Sequence, residues 1–392
     1  MRESGQYGVR MHMTPHRILA LVSLVASALL TLLALVPIAS ARPVAGAPEC
    51  TILPVASPWN QRIDRLPVAA GSAALIAGTG IQRLHADFSD ADADGYGIPI
   101  NVVDASTPRS TPMFEYDDES DHGTYPIPTS PLIEAGGDRH ILMLERDTCR
   151  LSELYGAVRS MNMWHAGSGA QWDLRSLALR PEGWTSADAA GLPILPGLAR
   201  HEELAAGGID HALRITLPIS QRAYLWPARH FASSERSPAR APMGMRLRVR
   251  AGFDTSRFGP QTRAILEAGK QYGYIVADNG SAGFISGAPA SGWDDDDLHD
   301  LGQISPAALE VVDTSTLRGT PTARRAWNLR WTVVPRTRLL RASAYVTKSG
   351  YVTVTASQHG RVVAHKRVFV RQGYVRIDLA KIAGARYTLA LH

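Results

Sequence analysis

Short apolar-rich runs separated by turn residues are the main pattern in the middle of the chain. Residues 98–103, 139–145 and 151–157 are such runs and predict strands. Arg146-Asp147-Thr148 separates the last two runs and predicts a hairpin turn. The same pattern predicts further strands at 113–116, 211–217, 223–227, 245–252, 274–277 and 283–285.

Helical patterns are few and short. Residues 66–80 end at a glycine as a short helix does, and residues 259–272 gather Ile265 and Leu266 on one face. Residues 185–205 contain two prolines that forbid one continuous helix. A doubly wound α/β fold needs regular strand–helix alternation, which is absent. The sequence therefore predicts a mainly β protein, a jelly-roll-like β-sandwich with a few short helices.

Alternation of apolar and polar residues marks the C-terminal part of the chain. Strand patterns lie at 351–355, 361–370, 374–379 and 387–391, and turns are predicted at Ser349-Gly350, His359-Gly360 and Gln372-Gly373. Residues 314–325 form the predicted linker to this region. The pattern resembles the immunoglobulin-like modules that end many secreted bacterial proteins, which implies a small β-sandwich over residues 326–392.

Charge divides the chain at the same place. Residues 42–313 carry 23 basic and 34 acidic residues, whereas residues 314–392 carry 15 basic residues and one acid, Asp378. The basic C-terminal region is therefore expected to contact anionic envelope polymers, a membrane surface or the acidic domain itself. Neither nucleic acid nor nucleotide is an expected partner, because RNA-binding motifs and glycine-rich phosphate loops are absent.

The N-terminus has the pattern of an export signal. Three arginines precede an apolar run over residues 18–38, and Ala39-Ser40-Ala41 fits signal-peptidase cleavage. Residues 1–41 are therefore predicted to be a cleaved signal peptide of a secreted protein, with an uncleaved membrane anchor as the alternative. Residues 42–60 are predicted to be an exposed lead-in, and residues 61–313 the main β-sandwich domain. Cys50 and Cys149 are predicted to form a disulfide, as expected in an oxidising compartment.

Several motifs lie between Cys50 and Asp313. They are PWN at 58–60, GDRH at 137–140, GWTSADAAGLPILPGL at 183–198, HALR at 211–214 and WPARH at 226–230. Together they resemble a large group of secreted bacterial proteins of unassigned role. The resemblance implies export but assigns no catalytic residue.

The same block is rich in groups that can transfer protons. Candidate catalytic residues are Asp138, His140, Asp188, Asp210, His211, Arg214 and His230. Tryptophan rings can stack on the C–H faces of sugars, and Arg229 can neutralise the carboxylate of a uronate. The candidate substrate-binding residues are Trp164, Trp172, Trp184, Trp226 and Arg229. The alternative interpretation is that the tryptophans fill the core and the histidines satisfy buried hydrogen bonds.

These residues predict a secreted carbohydrate-active protein, with a polysaccharide or cell-surface glycan as its partner. Glycoside hydrolysis needs two carboxylates, and the block contains several, including Glu119 and Asp278, without a diagnostic spacing. A polysaccharide lyase and a non-catalytic glycan-binding or envelope protein are the alternatives. No G-x-S-x-G motif supports a serine esterase.

One acidic loop matches the start of a calcium-binding loop. Asp90, Asp92 and Asp94 alternate and are followed by Gly95, but Asn101 stands where a bidentate glutamate is expected. A structural calcium ion is thus a candidate ligand of the three aspartates, with a solvated acidic turn as the alternative. No cofactor is required by the predicted chemistry.

Overall fold

The computed structural model describes residues 42–93 and 95–317, and six strands between residues 326 and 391. The predicted signal peptide, Asp94 and residues 318–325 of the predicted linker lie outside the described residues. Across the described residues, no helix has the length and apolar content needed to span a membrane.

The strands before residue 317 are short. In chain order they are β1 His85–Asp87, β2 Ile100–Val103, β3 Arg109–Ser110, β4 Met113–Phe114, β5 Tyr125–Pro126, β6 Ile141–Glu145, β7 Arg150–Tyr155, β8 Val158–Ser160, β9 Met163–Ala166, β10 Ser168–Asp173, β11 Leu213–Leu217, β12 Gln221–Tyr224, β13 Pro242–Met243, β14 Arg246–Val249, β15 Tyr274–Asn279, β16 Phe284–Ser286 and β17 Leu309–Val311.

The helices of the described residues are also short. The α-helices are α1 Ser72–Gly78, α2 His201–Ala205, α3 Pro260–Gln271 and α4 Asp295–His299, and 3-10 turns lie at Asp117–Glu119, Leu195–Gly197, Asp300–Gln303 and Pro306–Ala308. Helix α3 begins at a proline, and the carboxylate of Asp297 accepts hydrogen bonds from the backbone N–H groups of Gln261 and Thr262. Its apolar face is buried through Ile265 and Leu266, as the sequence predicted.

Two sheets organise this part of the chain. A six-stranded mixed sheet has the order β1-β16-β11-β15-β14-β17, and a four-stranded sheet has the order β10-β7-β6-β2. The predicted hairpin of β6 and β7 is confirmed, with Ile141 opposite Leu154 and Glu145 opposite Arg150. The protein is mainly β with a few short helices, as predicted, whereas the jelly-roll arrangement stays a prediction.

The predicted exposure of the lead-in is wrong. Cys50, Ile52 and Trp59 are buried in the main core. The backbone of this segment is also bound to the domain, because the Trp59 carbonyl accepts a hydrogen bond from the Ala212 N–H at 2.7 Å. The Arg246 guanidinium donates to the Pro58 carbonyl at 2.7 Å. Proline and alanine content alone does not separate a solvated segment from one that covers a core.

The predicted disulfide is confirmed between Cys50 and Cys149, 99 residues apart. Its removal in a Cys50→Ala, Cys149→Ala variant is expected to lower the free energy of unfolding by about 2–4 kcal/mol, because the unfolded chain regains the conformations of an open loop. Urea denaturation under oxidising conditions measures this difference. Wild-type protein unfolded in reductant is the control and should match the variant. An unchanged midpoint in the variant would contradict the prediction.

The C-terminal region consists of longer strands. They are β18 Ala326–Val334, β19 Leu339–Val346, β20 Gly350–Gln358, β21 Arg361–Val370, β22 Gly373–Lys381 and β23 Thr388–Leu391. They form two three-stranded sheets, β18-β19-β22 and β21-β20-β23. Ala342 and Ile377 of the first sheet share a hydrophobic cluster with Val352, Val354 and Val370 of the second. An immunoglobulin-like topology stays a prediction.

Candidate active site

A depression of about 400 Å³ lies over one end of the six-stranded sheet. We call it the acidic cleft. Its lining is formed by Tyr116, Glu119, Asp138, Tyr155, Ser168, Thr185, Ser186, Ala187, Ala189, His230, Phe231, Ala232, Asp278 and Asn279. Three carboxylates and one imidazole thus share a surface with three aromatic rings, and no Lys or Arg belongs to this lining.

Neighbouring strands bring the floor of the cleft together. Strands β11 and β15 are parallel, and Arg214 is paired in register with Ile275, three residues before Asp278. The Arg214 guanidinium binds Asp188 with two hydrogen bonds of 3.1 Å. It also donates to Asp278 at 2.9 Å and to the Ser286 hydroxyl at 2.6 Å. One buried cation therefore holds two carboxylates beneath the cleft.

The two carboxylates differ in exposure. Asp188 is fully buried, whereas the Asp278 side chain is 19% exposed and lines the cleft. Burial raises the pKa of Asp278 to about 7, and the negative charge of Asp188 adds to the increase, against the opposing effect of Arg214. Burial also raises the pKa of Asp188, although Arg214 opposes it. Asp278 is thus a carboxyl group that can hold a proton near neutral pH and reach a ligand.

His140 lies behind this floor. Its Nδ1 is 2.5 Å from Glu134 and its Nε2 is 3.0 Å from the carbonyl of Ala187, which lines the cleft. Burial disfavours the charged ring, but Glu134 outweighs burial and raises the pKa of His140. His140 is only 1% exposed and is not part of the cleft lining. Its catalytic role therefore stays a prediction.

The rim of the cleft carries the accessible groups. Asp138 is exposed on the loop before β6. Glu119 accepts a hydrogen bond from the Thr185 N–H at 2.9 Å, and its carboxylate lies 3.9 Å from His230 Nε2. His230 Nδ1 is 2.9 Å from the Ala189 carbonyl, and its ring stacks on Phe231. The structure therefore brings the predicted residues Asp138 and His230 together at one cleft.

Asp210 and His211 lie elsewhere. Asp210 lines a separate depression of about 700 Å³, where it is 3.5 Å from the Arg42 guanidinium. His211 is buried, with Nε2 at 2.9 Å from Glu203 and Nδ1 at 2.8 Å from the Ala212 carbonyl. The larger depression is not lined by Asp278, the partly exposed carboxyl group with the raised pKa. We therefore favour the acidic cleft as the candidate active site. Asp210 and His211 therefore lie outside the lining of the acidic cleft, and their catalytic roles stay predictions.

Three of the four tryptophans predicted as sugar platforms are buried. Trp164, Trp172 and Trp184 are at most 7% exposed. Trp172 donates its indole N–H to the buried Glu153, and Trp172 and Trp184 both lie against the Arg180 guanidinium, at 5.7 and 5.4 Å. These rings lie in the core beneath the rim. They contact Arg180, which also donates a hydrogen bond to the carbonyl of the rim residue Glu119.

The remaining predicted binding residues also have local roles. Trp226 is half-buried and precedes a cis peptide bond to Pro227. Arg229 donates to the Arg180 carbonyl at 3.0 Å and lies 3.5 Å from Glu182. Neither residue belongs to the lining of the acidic cleft. The aromatic lining consists instead of Tyr116, Tyr155 and Phe231, which the sequence analysis did not select.

Residues 91–93 of the acidic loop form a turn. The Asp90 carboxylate accepts the Asp92 N–H at 3.0 Å, and the Asp90 N–H donates to Asp295 at 3.0 Å. Asp94, the third predicted calcium ligand, lies outside the described residues. Elsewhere in residues 42–93 and 95–317, and in the six C-terminal strands, no three His, Cys, Asp or Glu side chains are grouped as a metal site. Calcium binding stays a prediction.

Glu134, Glu153 and Tyr155 were missed by the sequence analysis. Glu153 is fully buried, accepts hydrogen bonds from the Ile194 and Leu195 N–H groups, and has a pKa raised to about 7 by burial. The signal in the sequence was an acidic residue, Glu153, between Leu151 and Leu154 of a predicted strand.

Comparison of the chain with known families, curated proteins and solved structures returned no match.

Proposed function

We propose that the protein is a secreted glycoside hydrolase and that the acidic cleft is its active site. The observation that carries this proposal is Asp278, whose pKa is about 7 and whose side chain is partly open to the cleft. A carboxyl group with a raised pKa is the type of general acid that protonates the leaving oxygen of a glycosidic bond. The disulfide supports export to an oxidising compartment.

The second carboxylate is assigned to Asp138. Asp138 is exposed and shares the cleft with Asp278. An ionised carboxylate opposite the acid either activates a water molecule or attacks the sugar itself. Glu119 and His230 stand on the rim, where they position the sugar and its hydroxyl groups. Arg214 is a positioning residue, because its guanidinium donates a hydrogen bond to Asp278 and is itself fixed by hydrogen bonds to Asp188 and Ser286.

The lining also restricts the substrate. The lining holds three carboxyl groups and no Lys or Arg, so the cleft repels a uronate polymer. The substrate class is therefore a neutral or amino-bearing glycan, with its rings against Tyr116, Tyr155 or Phe231. A lyase that neutralises a uronate needs a free cation, and the buried Arg214 is already bound to two carboxylates.

A non-catalytic glycan-binding protein is the second candidate. The exposed Tyr116 ring and the stacked pair of His230 and Phe231 favour it, because such surfaces bind sugars without bond cleavage. Reducing-end release from a panel of neutral and amino-bearing polysaccharides separates the two functions. Release by the wild-type protein supports the hydrolase, whereas binding to one of these glycans without release supports the binding protein.

The pH dependence of hydrolysis follows from the role of Asp278. A general acid works only in its protonated form, so kcat/KM is expected to fall above about pH 7, where Asp278 loses its proton. The expected decrease is about tenfold for each further pH unit. Initial rates measured between pH 5 and pH 9 at a substrate concentration well below KM test this. A rate that rises through pH 7 would exclude Asp278 as the acid.

A further inference from the structure

One sheet of the C-terminal region has a face in solvent. In β20, Val352 and Val354 are buried, whereas the alternate residue Tyr351 is 62% exposed and Thr353 and Thr355 are half-buried. Because side chains alternate along a strand, Tyr351, Thr353 and Thr355 lie on one face. This face is opposite to the one that packs into the hydrophobic cluster.

The neighbouring strand adds aromatic and basic groups to that face. In β21, Phe369 is paired with Tyr351, Arg367 with Thr353 and His365 with Thr355. All three β21 side chains are exposed. We call these six residues the aromatic–basic face, and it is defined by Tyr351, Thr353, Thr355, His365, Arg367 and Phe369.

The three largest side chains of this face contact one another. The rings of Tyr351 and Phe369 are 5.4 Å apart in an edge-to-face arrangement, and the Arg367 guanidinium carbon lies 5.1 Å from the centre of the Tyr351 ring. Phe369 is 55% exposed. Two aromatic rings held together at the surface, next to a cation, are a common feature of surfaces that bind another molecule.

Charge and polarity identify the class of ligand. Fifteen basic residues and one acid follow Thr314, so this region attracts anions. Thr353, Thr355 and His365 continue the face as a polar row, and the whole face from Tyr351 to Thr355 is about 14 Å long at roughly 3.4 Å per residue. A row of hydroxyl and imidazole groups suits a hydroxylated polymer rather than the acyl chains of a lipid. Guanidinium groups bind carboxylates with two parallel hydrogen bonds.

We propose that the aromatic–basic face binds a uronate-bearing polysaccharide. Its sugar rings stack on Tyr351 and Phe369, and a carboxylate pairs with Arg367. This surface belongs to the basic C-terminal region, whereas the proposed hydrolysis belongs to the acidic cleft. The Asp278→Asn variant should therefore bind the uronate polymer as the wild type does, so failure of one proposal does not decide the other.

The strand itself offers a matched control. Lys366 precedes Arg367 and is also exposed, but it is paired with the buried Val354 and donates a hydrogen bond to the Asp378 carbonyl at 2.9 Å. Arg367→Gln and Lys366→Gln remove the same charge from adjacent positions. Only the first change removes a group from the aromatic–basic face.

Binding of the full chain to polygalacturonate and to its carboxyl-reduced form tests the proposal by calorimetry. We expect the wild type to bind the carboxylated polymer more tightly than its carboxyl-reduced form. The Kd for the carboxylated polymer should rise at least tenfold in Arg367→Gln and in a Tyr351→Ala, Phe369→Ala variant. In Lys366→Gln this Kd should change less than twofold. Unchanged circular dichroism and thermal midpoints confirm that each variant is folded.

Three outcomes would overturn the proposal. Equal binding of the two polymers would remove the role of the carboxylate. Equal weakening by Arg367→Gln and Lys366→Gln would show that net charge alone attracts the polymer. Preferential binding to phosphatidylglycerol vesicles over polygalacturonate would assign the face to a membrane surface.

Discussion

The Asp278→Asn variant is expected to hydrolyse its glycan roughly 10²–10⁴ times more slowly than the wild type, which is the usual contribution of a general acid. Asparagine keeps the size of the side chain and its contact with Arg214, but it cannot deliver a proton. Binding of the intact substrate should change little, so the loss appears in kcat rather than in KM. Single-turnover rates and the Kd of the variant measure the two effects separately.

A matched control comes from the other depression. Asp210→Asn changes an equivalent group beside Arg42, outside the acidic cleft, and should leave kcat within about twofold of the wild type, because it touches no substrate. Equal losses in both variants would place the chemistry elsewhere or indicate a general defect in folding. An unaffected Asp278→Asn variant would refute the assignment of the general acid.

Stability provides a second readout of the same residue. The folded-state pKa of Asp278 is about 7, above the value near 4 expected of an unfolded aspartate. The folded state therefore binds more protons between these values, so this group's favourable contribution is present at low pH and is lost as pH rises towards 7. Urea denaturation of Asp278→Asn should show a shallower decrease in stability over that window than the wild type.

Local sequence patterns predicted the helices and strands better than they predicted which residues are buried. The β6–β7 hairpin and helix α3 were predicted from short windows, because a turn between two apolar runs and an apolar helix face are local signals. The disulfide was predicted from the even number of cysteines. The burial of Trp59 was not predictable in this way. Whether a proline-rich segment covers a core depends on residues far away in the sequence, such as Ala212.

The site shows the same limit. Asp278 and Arg214 are 64 residues apart and meet because β11 and β15 are parallel neighbours. Alternation gives the two faces of a strand but not which strand lies beside it. The same uncertainty applies to Trp172 and Trp184, whose rings suit a sugar surface and an arginine equally well. The sequence indicated the residue types of the site. It did not indicate which neighbouring residues bury some of these side chains and leave others exposed.

Loss of Arg214 is expected to have the largest effect on stability. Arg214→Met should lower the free energy of unfolding by about 3–5 kcal/mol near pH 8, because removing one partner of a buried ion pair leaves the remaining charge uncompensated. Here two carboxylates, Asp188 and Asp278, lose their shared cation. Methionine retains much of the length of arginine, so the lost charge rather than a cavity dominates the change. Urea denaturation measures the difference.

The pH dependence of that loss distinguishes charge from packing. Without Arg214 the pKa values of Asp188 and Asp278 rise further, so both groups bind protons in the folded state and the penalty decreases as pH falls from 8 to 5. Arg175→Met, which removes the exposed partner of Asp173, should change stability by about 0.5 kcal/mol or less at either pH. If Arg214→Met is equally destabilising at pH 5 and pH 8, the guanidinium fills space beneath the cleft and does not hold the charge of Asp278.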